Sequence, residues 1–139
     1  MSKYIIETKN LTKQYGAQKS VANLNIHVKK GRIYGLLGRN GAGKTTTMKM
    51  LLGLTRPTSG DVKLWGRSLT GNERQLLPRI GSLIESPGFY PNLTATENLR
   101  IFAILRGVPD RHAIKDALEL VGLPYRDKKL FSQYSPGMK

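Results

Sequence analysis

Apolar and polar positions follow two rhythms along this chain of 139 residues. Leu24, Ile26 and Val28 alternate with Asn25 and His27, the two-residue period of a half-buried strand. Tyr4 to Asn10 reads as an earlier strand, Leu11 to Gly16 as a turn, and Lys29-Lys30-Gly31 as a tight turn. Two apolar runs, Ile33-Tyr34-Gly35-Leu36-Leu37 and Ile80-Gly81-Ser82-Leu83-Ile84, predict buried strands. Asp61 to Trp65, closed by Gly66, predicts another. His27 reads as an exposed strand residue.

The second rhythm is helical. Thr46 to Leu52 predicts a helix, and Asn72 to Leu77 a short one stopped by Pro78. Thr94-Ala95-Thr96-Glu97 is a capping box that opens a helix carrying Leu99, Phe102, Ala103 and Leu105, ending near Gly107. A further helix starts around Asp110, with Ala113, Ile114, Ala117, Leu118 and Val121 at helical spacing and Gly122 as its stop. His112 belongs to its surface. Leu123 to Lys129 reads as a third short helix. Strands come first, then a block of helices, which suggests an α/β core with a helical subdomain.

Between the Ile33–Leu37 run and the helix after it lies Gly38-Arg39-Asn40-Gly41-Ala42-Gly43-Lys44-Thr45-Thr46. This fits G-x-x-x-x-G-K-[ST], with a strand expected before it and a helix after it. Glycines let the backbone curl so that successive N–H groups point at one phosphate. The helix adds free N–H groups and a positive dipole end. Lys44 has the reach for β- and γ-phosphates, and the Thr45 hydroxyl suits Mg²⁺.

Composition narrows this picture. The chain carries no cysteine, so disulfide and thiol chemistry are excluded. No apolar run approaches the ~20 residues that span a bilayer, and the N-terminus does not read as a signal peptide. The net charge of +14 suits an anionic ligand, membrane face or acidic partner. The basic residues are scattered rather than blocked, which reads first as a solvated surface. No nucleic-acid-binding signature accompanies them, so nucleic acid is not expected as a partner.

Taken together, these stretches resemble the ATP-binding domain of ABC transporters over essentially the whole chain. Leu11-Thr12-Lys13-Gln14-Tyr15-Gly16 is similar to that family's A-loop, which implies that Tyr15 stacks on adenine. Residues 36–46 are similar to its Walker A, and Pro57-Thr58-Ser59-Gly60 to the run beyond the loop helix. Glu85 stands at the Q-loop position. Phe89 to Thr94, with Glu97-Asn98-Leu99, is similar to the segment after it. Tyr134-Ser135-Pro136-Gly137-Met138 stands where the family has its Leu-Ser-Gly-Gly-Gln signature. The resemblance implies nucleotide contacts from Tyr15, Gly38, Arg39, Asn40, Gly41, Ala42, Gly43, Lys44, Thr45, Thr46, Ser135 and Gly137. It implies Mg²⁺ near Thr45 and Glu85, with Glu85 also the catalytic candidate, and ATP and Mg²⁺ as cofactors. Implied partners are a second nucleotide-binding domain and transmembrane permease subunits, with the chain on the cytoplasmic face of the membrane.

Three departures from the pattern refine the expectation. Arg39 replaces a frequent proline, Glu85 a glutamine, and Ser-Pro-Gly-Met the usual Ser-Gly-Gly-Gln. The last two resemble the branch that exports, or gives immunity to, peptide antibiotics such as lantibiotics and bacitracin. The fold class implied is α/β: a P-loop NTPase core with N-terminal antiparallel β strands and the start of a helical subdomain, truncated before the Walker B strand. About residues 1–85 would form the core and about 86–139 the Q-loop region and helical subdomain. Without the family's Walker B Asp, catalytic Glu and His, this portion is expected to bind nucleotide without hydrolysing it. Two alternatives stay open: another P-loop kinase or NTPase, with Leu83-Ile84-Glu85 as a short Walker B, and a non-catalytic nucleotide-binding fragment. A GTPase would need an [NT]-K-x-D guanine reader, and DNA repair ATPases carry long insertions between loop and signature; this chain has neither.

Overall fold

The computed structural model describes residues 3–84, 88–107 and 110–138. The chain divides into two compact units, Met1–Ile84 and Glu85–Lys139.

In the first unit a long strand, β1 (Tyr4–Tyr15), organises the rest. On one edge it pairs antiparallel with β2 (Gln18–Leu24) and β3 (His27–Lys29); on the other it pairs with β4 (Ser59–Leu64), which pairs in turn with β5 (Arg67–Ser68). The turn expected over Leu11 to Gly16 is therefore strand as far as Tyr15. The reversal falls at Gly16-Ala17, where Gly16 takes φ 56°. Leu24, Ile26 and Val28 do face inward more than Asn25 and His27. Yet they do not form one strand, because the Thr8 hydroxyl enters the ladder between β2 and β3. It donates to Leu24 O at 2.8 Å and accepts from Ile26 N at 2.9 Å, while Thr8 N donates to Ile26 O.

β1 is bent at Asn10, which takes φ 47°. The register against β4 shifts there, between Lys9 and Thr12. Gly60 lies opposite: a Cβ on it would stand 2.4 Å from Asn10 O and 2.6 Å from Lys9 O. Only a residue without a side chain lets the two backbones come this close. Helix α1 (Lys44–Leu51) covers the sheet. Leu11, Val21, Met50, Val62, Leu64, Leu69 and Leu76 form the core, with Ile6, Leu24, Leu51, Trp65, Leu77 and Ile80 packed against it. Leu76 comes from the short helix α2 (Glu73–Leu76), and Pro78 sits within a 3-10 turn, Leu77–Arg79, that follows directly.

Both apolar runs read as buried strands are irregular backbone instead. Ile33 and Leu37 are almost wholly exposed, and so is most of Leu83. A strand buried on both faces exists only inside a ladder. Among the described residues no strand pairs with 33–37 or 80–84.

The second unit is built on α3 (Ala95–Leu105) and α4 (Arg111–Leu120), which pack together. The capping box is present as read: Thr94 accepts from Glu97 N, and the Glu97 carboxylate accepts from Thr94 N at 2.8 Å. Asp110 caps α4 by accepting from His112 N. Of the apolar set on α4, Ile114 and Leu118 are buried while Val121 is exposed. The helix expected over Leu123 to Lys129 does not form. Pro124 interrupts it, Arg126 takes φ 63°, and the Asp127 side chain accepts from Lys129 N, all turn chemistry. Residues 130–134 lace onto 91–94 through Phe131 N to Leu93 O, Ser132 N to Pro91 O and the Thr94–Leu130 bridge.

Candidate nucleotide-binding site

The glycine loop closes on its own lysine. Lys44 Nζ donates to Gly38 O at 2.6 Å and to Arg39 O at 2.8 Å, and Ala42 N donates to Arg39 O at 3.1 Å. Gly41 and Gly43 take φ 82° and 85°, the left-handed turns that aim loop amides inward. Gly43 then caps α1, whose first N–H groups have no helical carbonyl before them. Thr47 is buried and fastens this start by donating its hydroxyl and its N–H to Gly43 O. Thr45 is exposed, Thr46 half-buried, and Arg39 and Asn40 exposed.

The loop is seated on β2. A Cβ at position 43 would stand 2.2 Å from Ser20 O and 2.9 Å from Val21 Cγ2. Ser20 is the extra residue of a β-bulge, since Gln14 pairs with Lys19 while Lys13 pairs with Val21. The bulge and the glycine are complementary halves of one junction. Tyr15 pairs with Gln18 in the same hairpin and is exposed, with Lys13 Nζ 4.9 Å from its ring centroid. A cavity of about 450 Å³ opens here, lined by Lys19, Ser20 and Val21 on one side and Gly41, Ala42 and Lys44 on the other.

This donor set fits a nucleotide phosphate chain. It offers an ammonium, helix-terminal amides, glycines at left-handed φ and a hydroxyl at Thr45, and no carboxylate lines the cavity among the described residues. Lys44 already sits where its ammonium bridges the two arms of the loop.

Ser135 and Gly137 belong to the second unit. Both are exposed, and Ser135 O accepts from Met138 N at 3.0 Å, so Ser-Pro-Gly-Met is a closed turn. Tyr134, just before it, is 4% exposed. Its hydroxyl is buried without a hydrogen-bond partner among the described residues. Burial, and secondarily the charge of Asp127, push its pKa up. Glu85 lies outside the described residues.

Two positioning residues are not evident from motif reading. Asn98 is buried, accepts from Tyr90 N at 2.7 Å, and donates to the carbonyls of Tyr90, Leu93 and Thr94. It holds the segment before α3. Its sequence signals are an amide on the buried side of a helix and its place in Glu97-Asn98-Leu99, a stretch that resembles the family without giving Asn98 this role. Thr8 has none, because its partners lie 16 and 18 residues away.

Residues 21–139 match the ABC transporter family. The chain is 57% identical over 135 residues to the bacitracin transport ATP-binding protein BcrA of Bacillus licheniformis, covering 97% of this chain and 44% of that protein. It is 41% identical to the lantibiotic transport ATP-binding protein SrtF of Streptococcus pyogenes, over 97% of this chain and 57% of that one. A solved structure of an ATP binding subunit of an ABC transporter superposes with a TM-score of 0.80 at 29% identity, covering 96% of this chain and 57% of that chain. The chain thus spans about half the length of the relatives it matches.

Proposed function

Because this chain belongs to the ABC transporter family, we propose that it is the nucleotide-binding portion of an ATP-driven exporter of peptide antibiotics. The observation that carries this reading is the loop of residues 38–43, closed around Lys44 and seated on the hairpin that bears Tyr15. Gly38 to Thr46 hold the phosphates, Lys44 neutralises them, and Thr45 supplies a hydroxyl to Mg²⁺. Tyr15 stacks on the base, a contact worth about 1–3 kcal/mol. Bound nucleotide with its Mg²⁺ supplies the free energy of transport when hydrolysed in the whole protein. The residues described here bind and orient it.

The remaining assignments follow the same reading. Glu85 is assigned the Q-loop role, a carboxylate ligand for Mg²⁺ that reports nucleotide state to permease subunits. Ser135 Oγ and Gly137 N donate to the γ-phosphate held by a second copy, whereas Pro136 has no N–H to offer. Similarity to bacitracin and lantibiotic transport proteins supports the cargo class.

Calorimetric titration with Mg-ATP tests the core of this proposal. Lys44→Ala should weaken binding about tenfold or more, since charge-assisted hydrogen bonds contribute about 1.5–3 kcal/mol. Tyr15→Ala should weaken it about tenfold. Equal affinity of wild type and Lys44→Ala would remove the reading. Loss of the gene should raise sensitivity to bacitracin or to a lantibiotic; unchanged sensitivity to both would remove the cargo class alone.

A further inference from the structure

We propose that Lys19 is a second cation of the nucleotide site, reaching the phosphate chain from the hairpin side while Lys44 reaches it from the loop; this rests on the nucleotide-binding reading above. Lys44 carries three N–H donors, and two are spent on Gly38 O and Arg39 O. That leaves one N–H of Lys44, beside the loop amides, for a triphosphate with several anionic oxygens. Lys19 lines the same cavity as Lys44, Gly41 and Ala42. It is exposed, and its ammonium makes no hydrogen bond or ion pair among the described residues.

Its position is set by the fold. Lys19 immediately precedes the bulged Ser20, and such bulges re-aim neighbouring side chains. Ser20 O is the atom against which Gly43 is wedged. The backbone of Lys19 therefore cannot leave the loop without the loop helix leaving too. Lys19 also pairs with Gln14, next to Tyr15 along β1. The surrounding field favours the same ligand: residues 1–84 carry 15 Lys and Arg against 3 Asp and Glu, so +12 of the net +14 lies in this unit.

The test is nucleotide affinity against salt for wild type, Lys19→Ala, Lys19→Arg and Lys44→Ala, by calorimetry with Mg-ATP. Lys19→Ala should bind about fivefold more weakly at low salt. That deficit should nearly vanish as the Debye length falls from about 30 Å at about 0.01 M to about 3 Å at about 1 M salt. Lys19→Arg should keep wild-type affinity. A side chain that only supports the hairpin would give a deficit indifferent to salt and unrelieved by arginine, and that result overturns the inference. So does Lys19→Ala binding like wild type while Lys44→Ala does not; the nucleotide site then stands without Lys19. If wild type and Lys44→Ala bind equally, the nucleotide-binding reading falls first and Lys19 with it.

Discussion

The two units solve the same problem, holding a chemically useful turn, by different means. In the first, contacts are long-range: Thr12 pairs with Ser59, and the Thr8 hydroxyl joins β2 to β3 across 16 residues. Its loop is fixed by backbone pressed on backbone, Gly43 on Ser20, and β4 meets β1 in the same way at Gly60 on Asn10. In the second, the turn before α3 is held by short-range side-chain bonds, Asn98 to Tyr90, Leu93 and Thr94 and Thr94 to Glu97, with the 130–134 segment laced on from further along the chain. Charge divides unevenly as well. The second unit holds 8 Lys and Arg against 6 Asp and Glu, a net +2, where the first holds +12. Close backbone approach makes a rigid cationic cradle whose weak points are glycines. Side-chain clasps make a nearly neutral unit whose weak points are single polar residues.

Gly60→Ala should produce the largest effect. The new Cβ would meet two carbonyl oxygens at a φ of 85°. We expect a loss above about 3 kcal/mol in urea unfolding. The fluorescence of Trp65, the chain's one tryptophan and part of the first unit, follows it. A loss under about 1 kcal/mol would mean the strands separate freely there, and the contrast would fail.

Next comes Asn98→Ala. It strands the N–H of Tyr90, while the carbonyls of Tyr90, Leu93 and Thr94 keep the backbone donors Leu93 N, Phe131 N and Asn98 N, and should cost about 1–3 kcal/mol. Hydrogen exchange of α3 amides reads it out. The change should leave the Trp65 signal in place, and an equal response from both probes would break the separation of the units.

Thr94→Ala removes one half of the capping box and should cost about 1 kcal/mol, confined to the first turn of α3. The smallest effect is one of pH. Glu97 titrates below its ordinary value of 4.5, because Thr94 N–H and then the Thr94 hydroxyl donate to its carboxylate. A depressed folded pKa contributes stability that is present above pH 4.5 and lost as pH falls through the folded value. Protection of the α3 N-terminal amides should therefore decline on acidification below pH 4.5 in wild type and not in Glu97→Gln.

Local chemistry was legible in the sequence wherever its partners were sequence neighbours. The glycine loop, the Thr94 capping box, Asp110 as a cap and the stops at Gly107 and Gly122 are each decided within a few residues, by backbone conformation and short side-chain reach. The bond from Lys44 to Gly38 O spans only six residues and is local in the same sense. The fate of Ile33–Leu37 was not, because an apolar run becomes a strand only when another strand accepts its hydrogen bonds. The break at Asn25-Ile26, the continuation of β1 through Tyr15 and the bulge at Ser20 also depend on which distant backbone lies alongside. Periodicity reports which side chains prefer burial. Only the assembled sheet decides what stands opposite each of them, and so why position 43 must be glycine and why Lys19 faces the same cavity as Lys44.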